Sequence, residues 1–158
     1  MEVVFVRVGK TDMDFVNNGE EVYISRLRHY FNGVRLVDVK QGAKSGKSVP
    51  QVVKEMEAEA IQRVLQTGDF VVLLDERGEV FSSVQFANQL QKWLNRGPRR
   101  LVFIVGGAFG FSEQIYQLAN ARLSLSKMTF SHQLIRVLFL EQLYRAATIN
   151  KGEQYHNE

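Results

Sequence analysis

The chain has 158 residues, of which 45% are hydrophobic and 23% charged, with a formal net charge of +3. This is the size and mix of one folded domain with a sizeable core, and it excludes a disordered chain. The chain contains no cysteine, which removes disulfides, thiolate nucleophiles and cysteine-ligated metals.

The segment Met1 to Val8 carries Glu2 and Arg7, too short and too early-charged for a secretory leader. No apolar run approaches the roughly 20 residues of a membrane span. The expected compartment is therefore the cytoplasm, with no membrane partner.

Val3 to Val8 is predicted as a strand, Glu20 to Tyr30 as a helix and Val34 to Val39 as a second strand. Gln41 to Pro50 holds two glycines, two serines and two lysines and is predicted as a loop. A helix follows from Gln51 to Gln66, with Val52, Met56, Ala60 and Val64 at steps of four as its expected core stripe. Phe70 to Leu74 has the continuous apolar character of a strand buried on both faces.

Ser82 to Asn95 is the next helix. Ser82 followed by Gln85 is a capping-box signal, and Phe86, Leu90, Trp93 and Leu94 form its core face. Leu101 to Val105 is a buried strand ending at Gly106-Gly107, Glu113 to Ala121 a helix, and Leu123 to Leu125 a short strand. His132 to Ile149 is the last helix.

Alternating strands and helices with near-continuous apolar strands indicate a single α/β domain, residues 1–158, with a mainly parallel sheet. Ligands in such sheets bind beyond the carboxyl ends of the strands. That singles out the loops after Leu74, Val105 and Leu125.

The Gly106-Gly107-Ala108-Phe109-Gly110 turn permits close backbone approach by a nucleotide-like ligand, and equally suits a tight strand-to-helix turn. It is not the dinucleotide fingerprint: Val105 stands where the first glycine belongs, and no acidic residue lies about 20 positions on. Gly46-Lys47-Ser48 is not a P-loop, because the earlier glycine falls at Gln41. Nicotinamide, flavin and P-loop chemistry are thereby disfavoured.

The last helix is apolar around its whole axis, so a second subunit is expected to cover one face. It also carries Arg136, Glu141 and Arg145; the last two are four apart and can pair. The small positive charge permits RNA as a partner without requiring it. Lys40, Lys44 and Lys47, and Arg96, Arg99 and Arg100, form basic clusters of the kind usually found as solvated loop charge.

Taken in order, these segments resemble the ribosomal RNA large subunit methyltransferase H family, within the knotted SPOUT methyltransferases. The likeness starts at Val8-Gly9-Lys10. It passes through Leu74-Asp75 with Gly78, Ser82-Ser83 and Phe86-Ala87, then Phe103 to Gly110. It is densest over Leu123 to Arg136, and ends with Glu141 to Ala146 and Gly152 to Tyr155-His156. One departure is Ser131, where the family usually has proline; serine is an acceptable helix cap.

The resemblance implies a SPOUT-type α/β fold with a C-terminal trefoil knot, a homodimer, and S-adenosylmethionine as cofactor with no metal. It implies methylation of N3 of a pseudouridine in 23S ribosomal RNA, position 1915 in the usual bacterial numbering, on the assembled ribosome. Carried over by motif, the cofactor contacts are Leu74, Gly106, Leu125, Ser126, Lys127, Met128, Thr129 and Phe130. The catalytic groups are His132, Glu141, Arg145, Tyr155 and His156, with the tail expected to complete the site of the other subunit. A knotted methyltransferase acting on another RNA such as tRNA, and a non-catalytic RNA-binding protein of the same fold, remain open alternatives.

Overall fold

The computed structural model describes residues 1–42 and 49–157. Lys44 and the Gly46-Lys47-Ser48 tripeptide lie outside the described residues. The elements are β1 (Glu2–Val8), α1 (Asp14–Leu27), β2 (Gly33–Val39), α2 (Pro50–Val64), β3 (Asp69–Val80), α3 (Ser83–Asn95), β4 (Arg100–Val105), α4 (Glu113–Leu118), β5 (Ala121–Ser124) and α5 (Leu134–Asn150). All five strands are parallel, in the order β2-β1-β4-β3-β5.

Parallel pairing demands helical crossovers, and these cover both faces of the sheet. On one face Val3, Phe5, Val72, Leu101 and Phe103 pack with Leu27 of α1, Leu90 of α3 and Phe139 of α5. On the other, Val4, Val6, Val71, Leu73, Val102 and Ile104 pack with Ala58 and Ile61 of α2 and Ile115 of α4. Phe139 sits between Phe5 and Phe103, with ring centroids 5.1 and 4.7 Å away.

The structure corrects four features expected from the sequence. α1 begins six residues earlier than predicted, at Asp14, because Asn17, Asn18 and Gly19 interrupt the helical signal and no side chain caps its start. β3 runs on to Val80 through a charged, exposed half that lacks any strand-like apolar pattern. The stripe on α2 is rotated by one residue: Val53, Glu57, Ala58 and Ile61 face inward, while Val52 and Met56 are about half exposed. A buried glutamate on the inner face disguises it, so the apolar count favours the outer one. Arg100 is likewise no loop charge; it is buried, with Nη2 2.7 Å from Asp69 and 3.0 Å from the Val64 carbonyl.

The capping box at α3 is present in both directions, Gln85 N–H to Ser82 Oγ and Ser82 N–H to Gln85 Oε1. Ser131 Oγ accepts from Leu134 N–H at 3.1 Å at the entrance to α5, so serine caps where proline would only have stiffened the entry.

α5 is anchored by a buried polar network. Arg136 is fully buried. Its guanidinium donates to the carbonyls of Val8, Gly9 and His132, and to Thr11 Oγ1, at 2.9–3.0 Å. Thr11 donates to Glu20, whose carboxylate also meets Arg7 at 2.8 Å, and Arg7 pairs in turn with Asp38. Gln133 adds two backbone hydrogen bonds, accepting from Asp12 N–H and donating to the Lys10 carbonyl. Two guanidinium charges and two carboxylates cancel, which is what makes such a cluster tolerable inside a domain.

Removing one member of a buried set strands the others. Arg136→Met keeps helix propensity and volume but leaves Thr11 and three carbonyls without their donor. The expected loss is about 3 kcal/mol in urea unfolding, far above the cost of a surface charge deletion.

Candidate active site

β3 and β5 pair out of step. Leu74 and Glu79 both register with Leu123, so residues 75–78 bulge out of the ladder. Gly78 permits this: a Cβ there would lie 2.7 Å from the Leu123 nitrogen. The bulge forms one wall of a cleft of about 580 Å³ at the carboxyl ends of β3, β4 and β5. The Gly106–Phe111 turn forms a second wall and the loop from Ser124 to His132 a third, with Lys54, Tyr116 and Ile135 filling the gaps. Thr129 donates to Glu76 at 2.9 Å, tying the third wall to the first.

Of the cofactor residues taken from the resemblance, Leu74, Gly106, Leu125, Ser126, Met128, Thr129 and Phe130 line this one cleft. Lys127 is exposed on the same loop and is not part of the lining. Gly106 has a structural reason to be glycine, since a Cβ would press on the Phe111 ring at 3.1 Å. A change such as Gly106→Val therefore strains the wall as well as filling the cleft.

The predicted catalytic residues fall in two places. His132 lines the cleft. Burial, and then the charge of Arg136, push its pKa below the usual histidine range, with Asp12 opposing, so the ring is held neutral at pH 7.

The other four form a cluster on α5 and the tail. Arg145 donates to Glu141 Oε1 at 2.5 Å, Tyr155 OH to the same oxygen at 3.1 Å, and Arg145 Nη1 lies 3.2 Å from His156 Nδ1. The Tyr155 ring packs edge-on against Tyr144 at 4.7 Å and under the Arg145 guanidinium at 4.8 Å. Burial and the Glu141 carboxylate push the Tyr155 hydroxyl up to about 12, so it stays a donor at neutral pH. The tail thus lies on the helix of its own chain. Glu141 lines a second, smaller cavity that shares Leu123, Ser124, Leu125 and Phe130 with the cleft.

Asp75, Glu76, Arg77, Lys54 and Tyr116 reach the cleft without having been singled out as site residues. Asp75 was marked only as part of a motif. Lys54 and Tyr116 carry no sequence signal, because their helices look amphipathic without them. Burial and the Asp75 carboxylate hold the Tyr116 hydroxyl near 12, and the Arg122 guanidinium lies 4.3 Å from its ring centre. Among the described residues, no group of three or more metal-ligating side chains is found.

The family described as "Predicted SPOUT methyltransferase" matches residues 1–156. A protein of Parabacteroides distasonis named Ribosomal RNA large subunit methyltransferase H is 46% identical, covering 100% of both chains. Proteins of the same name from Christiangramia forsetii and Porphyromonas gingivalis are 45% and 44% identical, covering at least 99% of either chain. The chain belongs to the ribosomal RNA large subunit methyltransferase H family of SPOUT proteins. A solved structure of a probable methylase family protein from Haemophilus influenzae aligns with a TM-score of 0.50 at 12% identity, over 99% of this chain and 70% of the other, which speaks for the fold alone. The glycine turn of the cleft is under tight steric constraint at Gly107.

That constraint involves Glu57. The residue is 3% exposed, and a Cβ on Gly107 would come within 2.8 Å of its Oε1. Oε2 accepts from Gly42 N–H at 3.0 Å, whereas Oε1 has no hydrogen-bond partner among the described residues. Burial raises the carboxyl pKa, with the Gly42 bond opposing. A folded-state pKa above the unfolded value penalises the charged form in the fold. Stability is therefore lost as pH rises from the unfolded value of 4.5 through the folded one. Glu57→Gln keeps the acceptor for Gly42 and removes the charge. It should melt higher than wild type at neutral pH, and the difference should vanish below the unfolded value, as followed by thermal scans across pH.

Proposed function

We propose that this chain is a methyltransferase that uses S-adenosylmethionine to methylate N3 of a pseudouridine in 23S ribosomal RNA, on the assembled ribosome in the cytoplasm. The observation that carries this is the full-length similarity to relatives named for large-subunit ribosomal RNA methylation. The cleft agrees with it. A space of about 580 Å³ with apolar walls at Leu74, Leu125 and Phe130, and backbone laid bare at Gly106 and Gly107, suits a nucleoside-bearing cofactor.

Bound there, adenosylmethionine supplies an electrophilic sulfonium methyl. The protein's work is then positioning and proton management. Leu74, Gly106 and residues 125–130 hold the cofactor. His132, Glu141, Arg145, Tyr155 and His156 orient the pyrimidine and manage its N3 proton, His132 being held neutral and so able to take one. Arg145 lies where it offsets negative charge on a deprotonated ring. We also read the C-terminal segment as threaded into a trefoil, as the resemblance implies.

The same reading includes a homodimer. α5 buries Phe139, Leu140, Leu143 and Ala146 against its own sheet and neighbouring helices, yet Leu134, Ile135, Val137 and Leu138 on its remaining faces stay half-exposed. A second chain laid on that surface would cover them. Sedimentation at micromolar concentration should give a stable dimer; a folded monomer would overturn this part.

The deciding experiment is transfer of labelled methyl from adenosylmethionine to intact ribosomes, with the product mapped to the nucleotide. The expected result is one N3-methylated pseudouridine in 23S RNA, with naked 23S RNA much poorer, since a net charge of +3 gives little purchase on free phosphates. Labelled tRNA, or adenosylmethionine binding with no transfer to any RNA, would overturn it.

A further inference from the structure

We propose that the second cavity receives the target base, everted from the RNA, and that Ser83 and Gln142 fix its edge. This rests on the methyl-transfer reading above. The cavity has about 330 Å³ and lies between the first turn of α3, the end of β5 and the middle of α5. Leu123, Ser124, Leu125 and Phe130 line it and the cofactor cleft alike, so the two spaces adjoin. A methyl donated from the cleft needs its acceptor nitrogen in direct contact, where the two spaces meet, and a base stacked in RNA cannot get there without being turned out.

The lining has the two components a base needs. Phe81 and Phe130 are both partly exposed and offer aromatic surface. Opposite them runs a chain of polar groups: Ser83 Oγ donates to Gln142 Oε1 at 2.8 Å, and Gln142 Nε2 donates to Glu141 Oε2 at 2.9 Å. Glu141 Oε1 already accepts from Arg145 and Tyr155. A carboxylate has about four acceptor positions, so three donors leave one open. The Gln142 amide likewise has a second N–H with no acceptor among the described residues.

An open carboxylate position beside an amide N–H is an acceptor next to a donor. The matching edge is N3–H beside a carbonyl oxygen, which uracil and pseudouridine present. Cytosine offers a bare N3 lone pair there, which the Glu141 carboxylate would repel. The occupant is thus a pyrimidine that carries a proton on N3. Ser83 holds Gln142, and Gln142 holds Glu141, from a different helix, so the edge is set before the base arrives. Ser83 and Gln142 are positioning residues for Glu141 as well as contacts for the base.

The test compares Gln142→Leu, Ser83→Val and Ser83→Thr with wild type in three measurements. These are methyl transfer to ribosomes at varied ribosome concentration, adenosylhomocysteine binding by calorimetry, and thermal melting. Gln142→Leu should lower kcat/KM for ribosomes about a hundredfold, as misplacement of a reacting group does. Ser83→Val should lose about tenfold for the missing hydroxyl, and Ser83→Thr, of the same shape with the hydroxyl kept, should recover it. Adenosylhomocysteine affinity and melting should match wild type throughout. Transfer at the wild-type rate in Gln142→Leu and Ser83→Val would overturn the pocket assignment. So would a parallel fall in adenosylhomocysteine affinity or melting, which would make the two residues supports of the fold. Wild-type protein that binds no adenosylhomocysteine and labels no ribosomes would instead overturn the functional reading beneath it.

Discussion

The hold of Arg136 on the end of β1 is the interaction on which the rest of the molecule depends. Its guanidinium has no access to solvent, so each donor left unmet would carry the full cost of desolvation. The chain meets four of the five N–H groups with three carbonyls and one hydroxyl, two of the carbonyls lying at the turn where Gly9 takes a φ of +81°. A carbonyl directed that way needs the positive φ that glycine adopts without strain. The consequence travels along the chain. With the first turn of α5 pinned to β1, the loop between β5 and α5 has both ends fixed and must stand at the strand ends as a cleft wall.

Two kinds of charge can be told apart on that basis. Arg7, Arg100 and Arg136 are buried with their donors turned inward on carboxylates and carbonyls, and each joins elements far apart in sequence. They hold the fold together rather than face the cleft. Arg145 is a quarter exposed, shares its one carboxylate with Tyr155 and Gln142, and faces an aromatic tail. Exposure and shared acceptors keep its geometry adjustable, which suits a group meeting a substrate better than one holding a fold. Glu57 belongs to neither kind. Its Oε1 has no partner among the described residues, a local cost beside the glycine turn.

The sheet was legible in the sequence because five short apolar runs can hardly be anything but buried parallel strands. The capping box of α3 was legible because it is local. What escaped was non-local or disguised. The far half of β3 is charged and becomes a strand only by pairing with β5 beyond a bulge. The inner face of α2 is hidden by the buried Glu57. Nothing in the spacing of Arg7, Thr11, Glu20 and Arg136 announces a network, since Arg136 stands 125 residues from Thr11. The site was legible in part through the family likeness, which marked the loop of 125–130 and the ends of the chain. It marked Asp75 only as part of a motif, and it did not mark Lys54 or Tyr116, whose place in the cleft follows from where their elements happen to pack.

The tail is the clearest case of a segment whose meaning depends on its surroundings. A short, mostly polar segment after a helix would ordinarily fray. Here Gly152, at a φ of +71°, turns the chain back, and Tyr155 and His156 settle on Glu141 and Arg145 of the same α5. In a dimer about a two-fold axis, the partner's α5 would offer the same carboxylate and guanidinium. The bonds gained in exchange equal the bonds given up, as in any swap of identical elements. What separates the two arrangements is therefore only the path of the few residues after the helix and the contacts of the dimer itself. Such a near balance would let one tail cover the proposed base pocket of its own chain or, in the proposed dimer, close its neighbour's, with no change in the residues that hold it.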